Sequence, residues 1–424
     1  MPPFNDQKTD PAIMLNTFFD ASETRSPKDR ETGLMAALPR VVHHAKSKAA
    51  GFGRILDGVD PQTVNSREAL AKLPVTRKSD LITMQAKNPP FAGLNATPVP
   101  ALGRIFQSPG PIYDPEGKGD DWWRMGRAFF AAGFRPGDII HNCLSYHLTP
   151  GGFIFDSGAR ACGCAVIPAG VGQTEAQIKA ISDLKPTGYS GTPSFLKILM
   201  EKADELGGDV SSITRALVSG EALPPSLRDW FSERGVAMLQ CYASADLGLI
   251  AYESDAKSGM IVAEDIILEI VRPGTGDPVA EGEVGEVVVT TLNMDYPLIR
   301  FATGDLSAIA RGPSPCGRTN MRIKGWMGRA DQTTKVKGMF VHPHQIAEVV
   351  KRHADIGKAR LIVTRENDVD VMTLACETDA AGFSADAVMD SLHSICKLRG
   401  KVEIATPGSL PNDGKVIDDQ RDYS

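Results

Sequence analysis

The stretch that decides the fold runs from "DIIHNCLSY" (138–146) to "VAMLQCYAS" (236–244). Between these two strand-like segments the chain alternates. "CAVIPA" (164–169), "TGYSG" (187–191) and "ITRALVSG" (213–220) read as strands. "TEAQIKAISDL" (174–184) opens on Thr174 and an acidic first turn, and "TPSFLKILMEKADEL" (192–206) carries proline in its first turn. With "PPSLRDWFSER" (224–234) these make three helices. Strands alternating with helices of this length imply parallel βαβ units. Ligands of such sheets sit beyond the carboxyl ends of strands, here "SGEAL" (219–223) and "CYASADLG" (241–248).

On the N-terminal side, residues 1–90 read as helices and loops, with "DRETGLMAALPRVVHHAKSKA" (29–49) helical; His43 and His44 are taken as surface or packing residues. On the C-terminal side, "IILEIVRP" and "EVGEVVVTTL" flank the turn "GTGDP", which predicts a small antiparallel subdomain. The tail reads as βαββαβ: "TTKVKGMFV", "PHQIAEVVKRH", "KARLIVT", "VDVMTLAC", "SADAVMDSLHSICKL" and "KVEIAT". The expected fold class is therefore α/β: a large N-terminal domain (1–328) of parallel βαβ sheets with a small antiparallel subdomain, then a small mobile α+β domain (329–424).

Between these two bodies lie "YPLIRFATGDLSAI" (296–309) and "GWMGRADQTTKVKGMFVHPHQI" (325–346). A strand ending in Thr303-Gly304-Asp305 presents a carboxylate that can grip vicinal hydroxyls. Arg329, in the next turn, offers a planar fork for phosphate. One nucleotide would satisfy both.

Composition narrows the class. The chain has 424 residues, 42% hydrophobic and 23% charged, ordinary for a globular protein of two domains. A formal charge of −6 without a basic stripe argues against nucleic acid or a membrane surface as partner. No apolar run approaches the ~18 residues of a spanning helix. The start lacks a signal-peptide pattern, so a cytoplasmic location is expected. Seven scattered cysteines read as reduced thiols, the pair Cys162 and Cys164 as core residues.

Together these segments resemble the adenylate-forming acyl-CoA synthetase superfamily, in its phenylacetate-CoA ligase-like branch. The resemblance spans roughly residue 25 to the end. It includes "LPVTRKSDL" (73–81), "AAGFRPGD" (131–138), "VIPAGVGQTEAQI" (166–178), "GTPSFL" (191–196), "PLIRFATGDL" (297–306), "PCGRTNMRI" (315–323) and "LPNDGK" (410–415). Their collinear order is more specific than any one of them.

The resemblance implies a two-step reaction. Carboxylate and ATP give an acyl-adenylate and pyrophosphate; a thiol, coenzyme A, then displaces AMP. It implies Lys415 as the catalytic lysine, bridging carboxylate and α-phosphate from the mobile domain. Asp305 would bind the ribose, Arg329 phosphate or ribose, and Asp331 would be the hinge. Ser219, Gly220 and Glu221 would face adenine, with Tyr242 stacked near it. Asp246 stands where the family has a glutamate for Mg²⁺. Tyr146 and His147 fall on a loop that helps line the acyl pocket, and Lys335 and Lys337 face the thiol step or form a solvated strand face. The substrate class implied is an aromatic or arylalkanoic acid such as phenylacetate, and by branch analogy a homodimer.

Two departures stand out. The phosphate loop of the superfamily matches "FQSPGPIYDPEGKGDDWW" (106–123), which keeps Ser108 and Gly110 but introduces Pro109, Pro111 and Pro115. Each proline removes an N–H donor; Lys118 is the nearest cation, displaced and in no Walker motif. Two alternatives to a CoA ligase therefore stay open: adenylation with a non-CoA acceptor, and an adenylate-binding protein weakened in ATP use. Secondly, the Cys/His cluster of some relatives is replaced by Ser254, Ile261 and Ser314 beside Cys316, so no zinc site is expected.

Overall fold

The structure is a computed structural model that describes residues 17–108, 111–221, 223–336, 339–366, 369–411 and 415–421. Its fold is α/β, with a large sheet that is parallel in one half. Nine strands lie in the order Ile309–Ala310, Arg322–Ile323, Met260–Val262, Gly248–Tyr252, Ala237–Ser244, Arg215–Val218, Gly188–Gly191, Ile139–Asn142 and Ala165–Pro168. The last five are mutually parallel, and the other pairings are antiparallel. Chain order reverses beside Ile139–Asn142, whose neighbours are Gly188–Gly191 and Ala165–Pro168.

Local chemistry sets the helices between these strands. Pro193–Leu206 begins where Thr192 Oγ1 accepts from Phe195 N, and ends at Gly207, whose φ of +68° few other residues adopt cheaply. Its Leu196, Leu199, Met200 and Ala203 are buried, four positions on one helical face. They share a core with Tyr189, Phe231 and Met238, while the larger core lies with the N-terminal helices.

The expected N-terminal helix spans Pro27–Lys48, capped by Ser26. It is fixed by charge as well as apolar packing: Arg30 pairs with Glu264 at 3.1 Å, both nearly fully buried. His43 is exposed, and His44 Nε2 meets the Met294 carbonyl at 2.9 Å. A second sheet takes Ile266–Val271, Gly285–Thr291 and Phe301–Ser307 antiparallel, as the turn chemistry predicts. Its fourth strand comes from far upstream: Thr76–Arg77 pairs parallel to Phe301 and Ala302.

The tail differs from its expected pattern twice. "TTKVKGMFV" is a hairpin, Thr334–Val336 against Met339–Val341, rather than one strand; Lys337 and Gly338 lie outside the described residues. An extra strand, Ile417–Asp419, pairs parallel to Lys358–Glu366. Both contribute to a separate core around Val341, Leu361, Leu374, Leu392 and Ile417. Among the described residues no helix is long and apolar enough to cross a membrane.

Candidate active site

A cavity of about 530 Å³ opens beyond the carboxyl ends of Arg215–Val218 and Ala237–Ser244. That volume suits a small organic ligand. Ser219, Gly220, Glu221, Tyr242 and Asp305 line it, so five expected residues from three separate segments converge. Ser219 is fixed by donating to the Cys241 carbonyl at 2.8 Å, and Gly220 takes a φ of +81°. Gln240, Lys324, Gly325 and Trp326 line it too, none of them assigned a role from sequence.

Asp305 is the hub. Tyr242 donates to its Oδ2 at 2.8 Å, while Trp326 Nε1 and Arg329 Nη1 both donate to Oδ1 at 3.1 Å. Burial and the Asp305 charge push the Tyr242 phenol well above its ordinary range, so it remains a donor. The chain reaches this geometry through Gly304, at φ +78°, where a Cβ would come within 2.7 Å of Arg329 Nη2. The strand expected to end at Asp305 runs on to Ser307, and an isolated bridge ties Asp305 to Arg329. Trp326 had one sequence signal, a tryptophan three residues before the arginine of the Gly-Arg turn, and its side chain remains half exposed.

A second cluster gathers Lys78, Asp246 and Asp114. Lys78 Nζ is 2.6 Å from Asp246 Oδ2. Burial alone would lower the Lys78 pKa, but Asp246 outweighs it and leaves the amine above its ordinary value. Asp114, fully buried, stands beside them; burial and then Asp246 raise its carboxyl well above the usual range. Neither Asp114 oxygen nor Asp246 Oδ1 has a donor among the described residues.

The expected phosphate loop is instead a tight hairpin. Arg104–Ser108 pairs with Ile112–Glu116, and Ser108 faces Ile112, leaving only residues 109–111 between the strands. Ser108 Oγ donates to the Ile112 carbonyl at 3.3 Å; Pro109 and Gly110 lie outside the described residues. Lys118 is exposed past Glu116, at the opposite end of the hairpin, so it cannot serve the connection. Three residues, two of them proline, connect the strands.

Other expected residues stand apart from the cavity. Tyr146 accepts from Asn142 Nδ2 at 2.7 Å and donates to Asp156 at 3.2 Å, edge-on to Phe153. It lies just past Ile139–Asn142, the strand at the reversal of chain order. His147 is exposed nearby. Lys415 is half exposed, 3.3 Å from Asp418, and not among the cavity's lining residues. Its neighbour Val416 donates to Gln332 Oε1 at 2.7 Å, beside Asp331 in the short helix Ala330–Gln332. At the replaced cysteine cluster, Ser314 Oγ and Cys316 Sγ are 3.1 Å apart and Arg318 donates to Cys316 at 3.7 Å. A guanidinium stands there among hydroxyls and one thiol.

Among the described residues no group of three or more His, Cys, Asp or Glu could hold a metal. Asp246 Oδ1, without a donor but closed to solvent, would supply magnesium a single carboxylate ligand at most.

Comparison with known proteins agrees with this geometry. Residues 122–294 match the family model for AMP-binding enzymes. Phenylacetate-coenzyme A ligase of Thermus thermophilus is 31% identical over 390 residues, 86% of each chain. The Escherichia coli phenylacetate-coenzyme A ligase is 29% identical over 95% of this chain and 96% of its own. In fold, an open conformation of 2-hydroxyisobutyryl-CoA ligase, solved with 2-HIB-AMP and CoA, superposes with a TM-score of 0.81 at 24% identity over 93% of each chain. The chain belongs to the phenylacetate-coenzyme A ligase family.

Proposed function

We propose that the chain activates an aromatic or arylalkanoic carboxylic acid with ATP and transfers the acyl group to coenzyme A. The observation that carries this is the hub at Asp305, set in a nucleotide-sized cavity between the turns after two parallel strands. In the first step the substrate carboxylate attacks the α-phosphorus and pyrophosphate leaves. In the second the thiol sulfur attacks the acyl carbon and AMP leaves.

Asp305 accepts from the ribose hydroxyls, exchanging its internal donors for theirs. Ser219, Gly220 and Glu221 face adenine, with Tyr242 against the base. Arg329 contacts phosphate or ribose, and Ser108 and Gly110 mark the far phosphate end. Asp246 would hold magnesium, which supplies charge neutralisation when bound. Tyr146 and His147 flank the acyl group. Domains 1–328 and 329–424 hinge at Asp331 and bring Lys415 to the carboxylate and α-phosphate. The protein works in the cytoplasm and is compatible with a homodimer.

One observation favours a second reading, an adenylate-binding protein weakened in ATP use: the connection of residues 109–111 is too short to cradle a triphosphate. Pyrophosphate release with ATP, Mg²⁺ and a panel of aryl acids separates the two. Release with one acid, followed by its CoA thioester, supports the ligase. No release with any acid, with AMP bound and ATP not, overturns it.

A further inference from the structure

A nucleotide's phosphate chain needs cations, and the hairpin Arg104–Glu116 leaves only residues 109–111 between its strands. Residues 109–111 are Pro-Gly-Pro, which leaves one backbone N–H. The replacement charge comes from another part of the chain. Thr76–Arg77 pairs parallel with Phe301 and Ala302. That register carries Lys78, the next residue, alongside Thr303 and Gly304, against the turn that presents Asp305. Its amine rests on Asp246 and also feels the Asp114 and Asp305 charges. It thus stands between the carboxylate facing the ribose and the one facing the metal.

We propose that Lys78 binds the phosphate chain of the nucleotide, held in place by Asp246. An ammonium has three donors; the bond to Asp246 uses one and leaves two for phosphate oxygens. The side chain is 26% exposed, so the amine is not sealed from a ligand. Asp246 then has two tasks, Oδ2 for the lysine and Oδ1 for magnesium. This assignment rests on the adenylation reading.

The test is calorimetric titration of the full chain with ATP and with adenosine. Lys78→Ala is expected to weaken ATP roughly 10–100-fold, the loss of charge-assisted hydrogen bonds, and adenosine less than about twofold. Lys78→Arg, which keeps a cation beside Asp246, should lose less ATP affinity than Lys78→Ala. Thioester formation from a supplied acyl-adenylate should persist in Lys78→Ala. A loss shared equally by ATP and adenosine, or no loss, overturns the assignment. Acylation footprinting of the unmodified protein needs no variant: ATP should protect Lys78 and adenosine should not, and equal modification with and without ATP overturns the proposal. If the parent protein makes adenylate and Lys78→Ala does so at the same rate, the lysine assignment alone fails. If the parent binds adenosine but no ATP, the adenylation reading fails with it.

Discussion

At one end of the site the carboxylate Asp305 meets three donors; at the other Asp246 holds Lys78, and the buried Asp114 has no donor among the described residues. The first end surrounds its carboxylate with donors. The second is short of positive charge, and burial there raises the Asp114 carboxyl well above its usual range. On the proposed reading, a nucleotide entering this site would find Asp305 set for its sugar and only Lys78 set for its phosphates, and Lys415 would bring a second cation.

Removing that cation should break the contrast most completely. Lys415→Ala is expected to cut adenylate formation by roughly 10²–10³-fold, the scale of losing one transition-state charge contact. It should spare thioester formation from a supplied acyl-adenylate, and equal loss of both half-reactions would refute the role. Next in size is Asp305→Asn, expected to weaken AMP, ATP and adenosine alike by roughly 10–100-fold. That uniform loss is the counterpart of the ATP-selective loss expected at Lys78; selective loss at both positions would merge the two ends.

Gly304→Ala sharpens the comparison through backbone rather than charge. At φ +78° the new methyl is strained by about 1–2 kcal/mol, and it would meet Arg329 Nη2 at 2.7 Å. A lower melting temperature together with weaker AMP binding is the expected outcome. Trp326→Phe, which removes one of the three donors to Asp305, should weaken AMP only a few-fold, about 1 kcal/mol; a larger effect would make the indole a base contact as well.

The smallest effect expected concerns the tail. Burial, then the stacked ring of His344, lowers the His342 pKa to about 4 from 6.5. The neutral form favours the fold, so this contribution is complete above pH 6.5 and is lost as pH falls through about 4. Acid unfolding followed by circular dichroism should flatten over that window in His342→Gln. An unchanged acid limb would remove His342 from the account.

Much of this was legible in the chain because it is local. The alternation from 138 to 244 is written in periodicity and caps, and each of its segments folds as read. Asp305 and Arg329 were legible because turn motifs carry their own geometry. Lys78 was not, although "LPVTRKSDL" was among the segments that carried the resemblance. Its meaning depends on a strand pairing with residues 301–302, and no local pattern encodes a partner so far away. Asp114 was hidden likewise, since its neighbours are supplied by Asp246 and Lys78 rather than by its own strand. The hairpin was misread as a loop because proline argues against a strand interior. Pro115 is tolerated in a two-stranded sheet, where one side of every strand is an edge.

The pairing of Thr76–Arg77 with Phe301 and Ala302 also sets an order of events during synthesis. Residues 76–78 leave the ribosome long before their partners exist, so this corner of the molecule must wait for more than half the chain. Segments that wait expose apolar surface and invite wrong partners. The helix Pro27–Lys48 faces the same delay, since Glu264, the partner of Arg30, is also far downstream. Thr76–Arg77 thus settles only after residue 302 has been made, and a shortened chain ending before residue 301 would leave it without its partner strand.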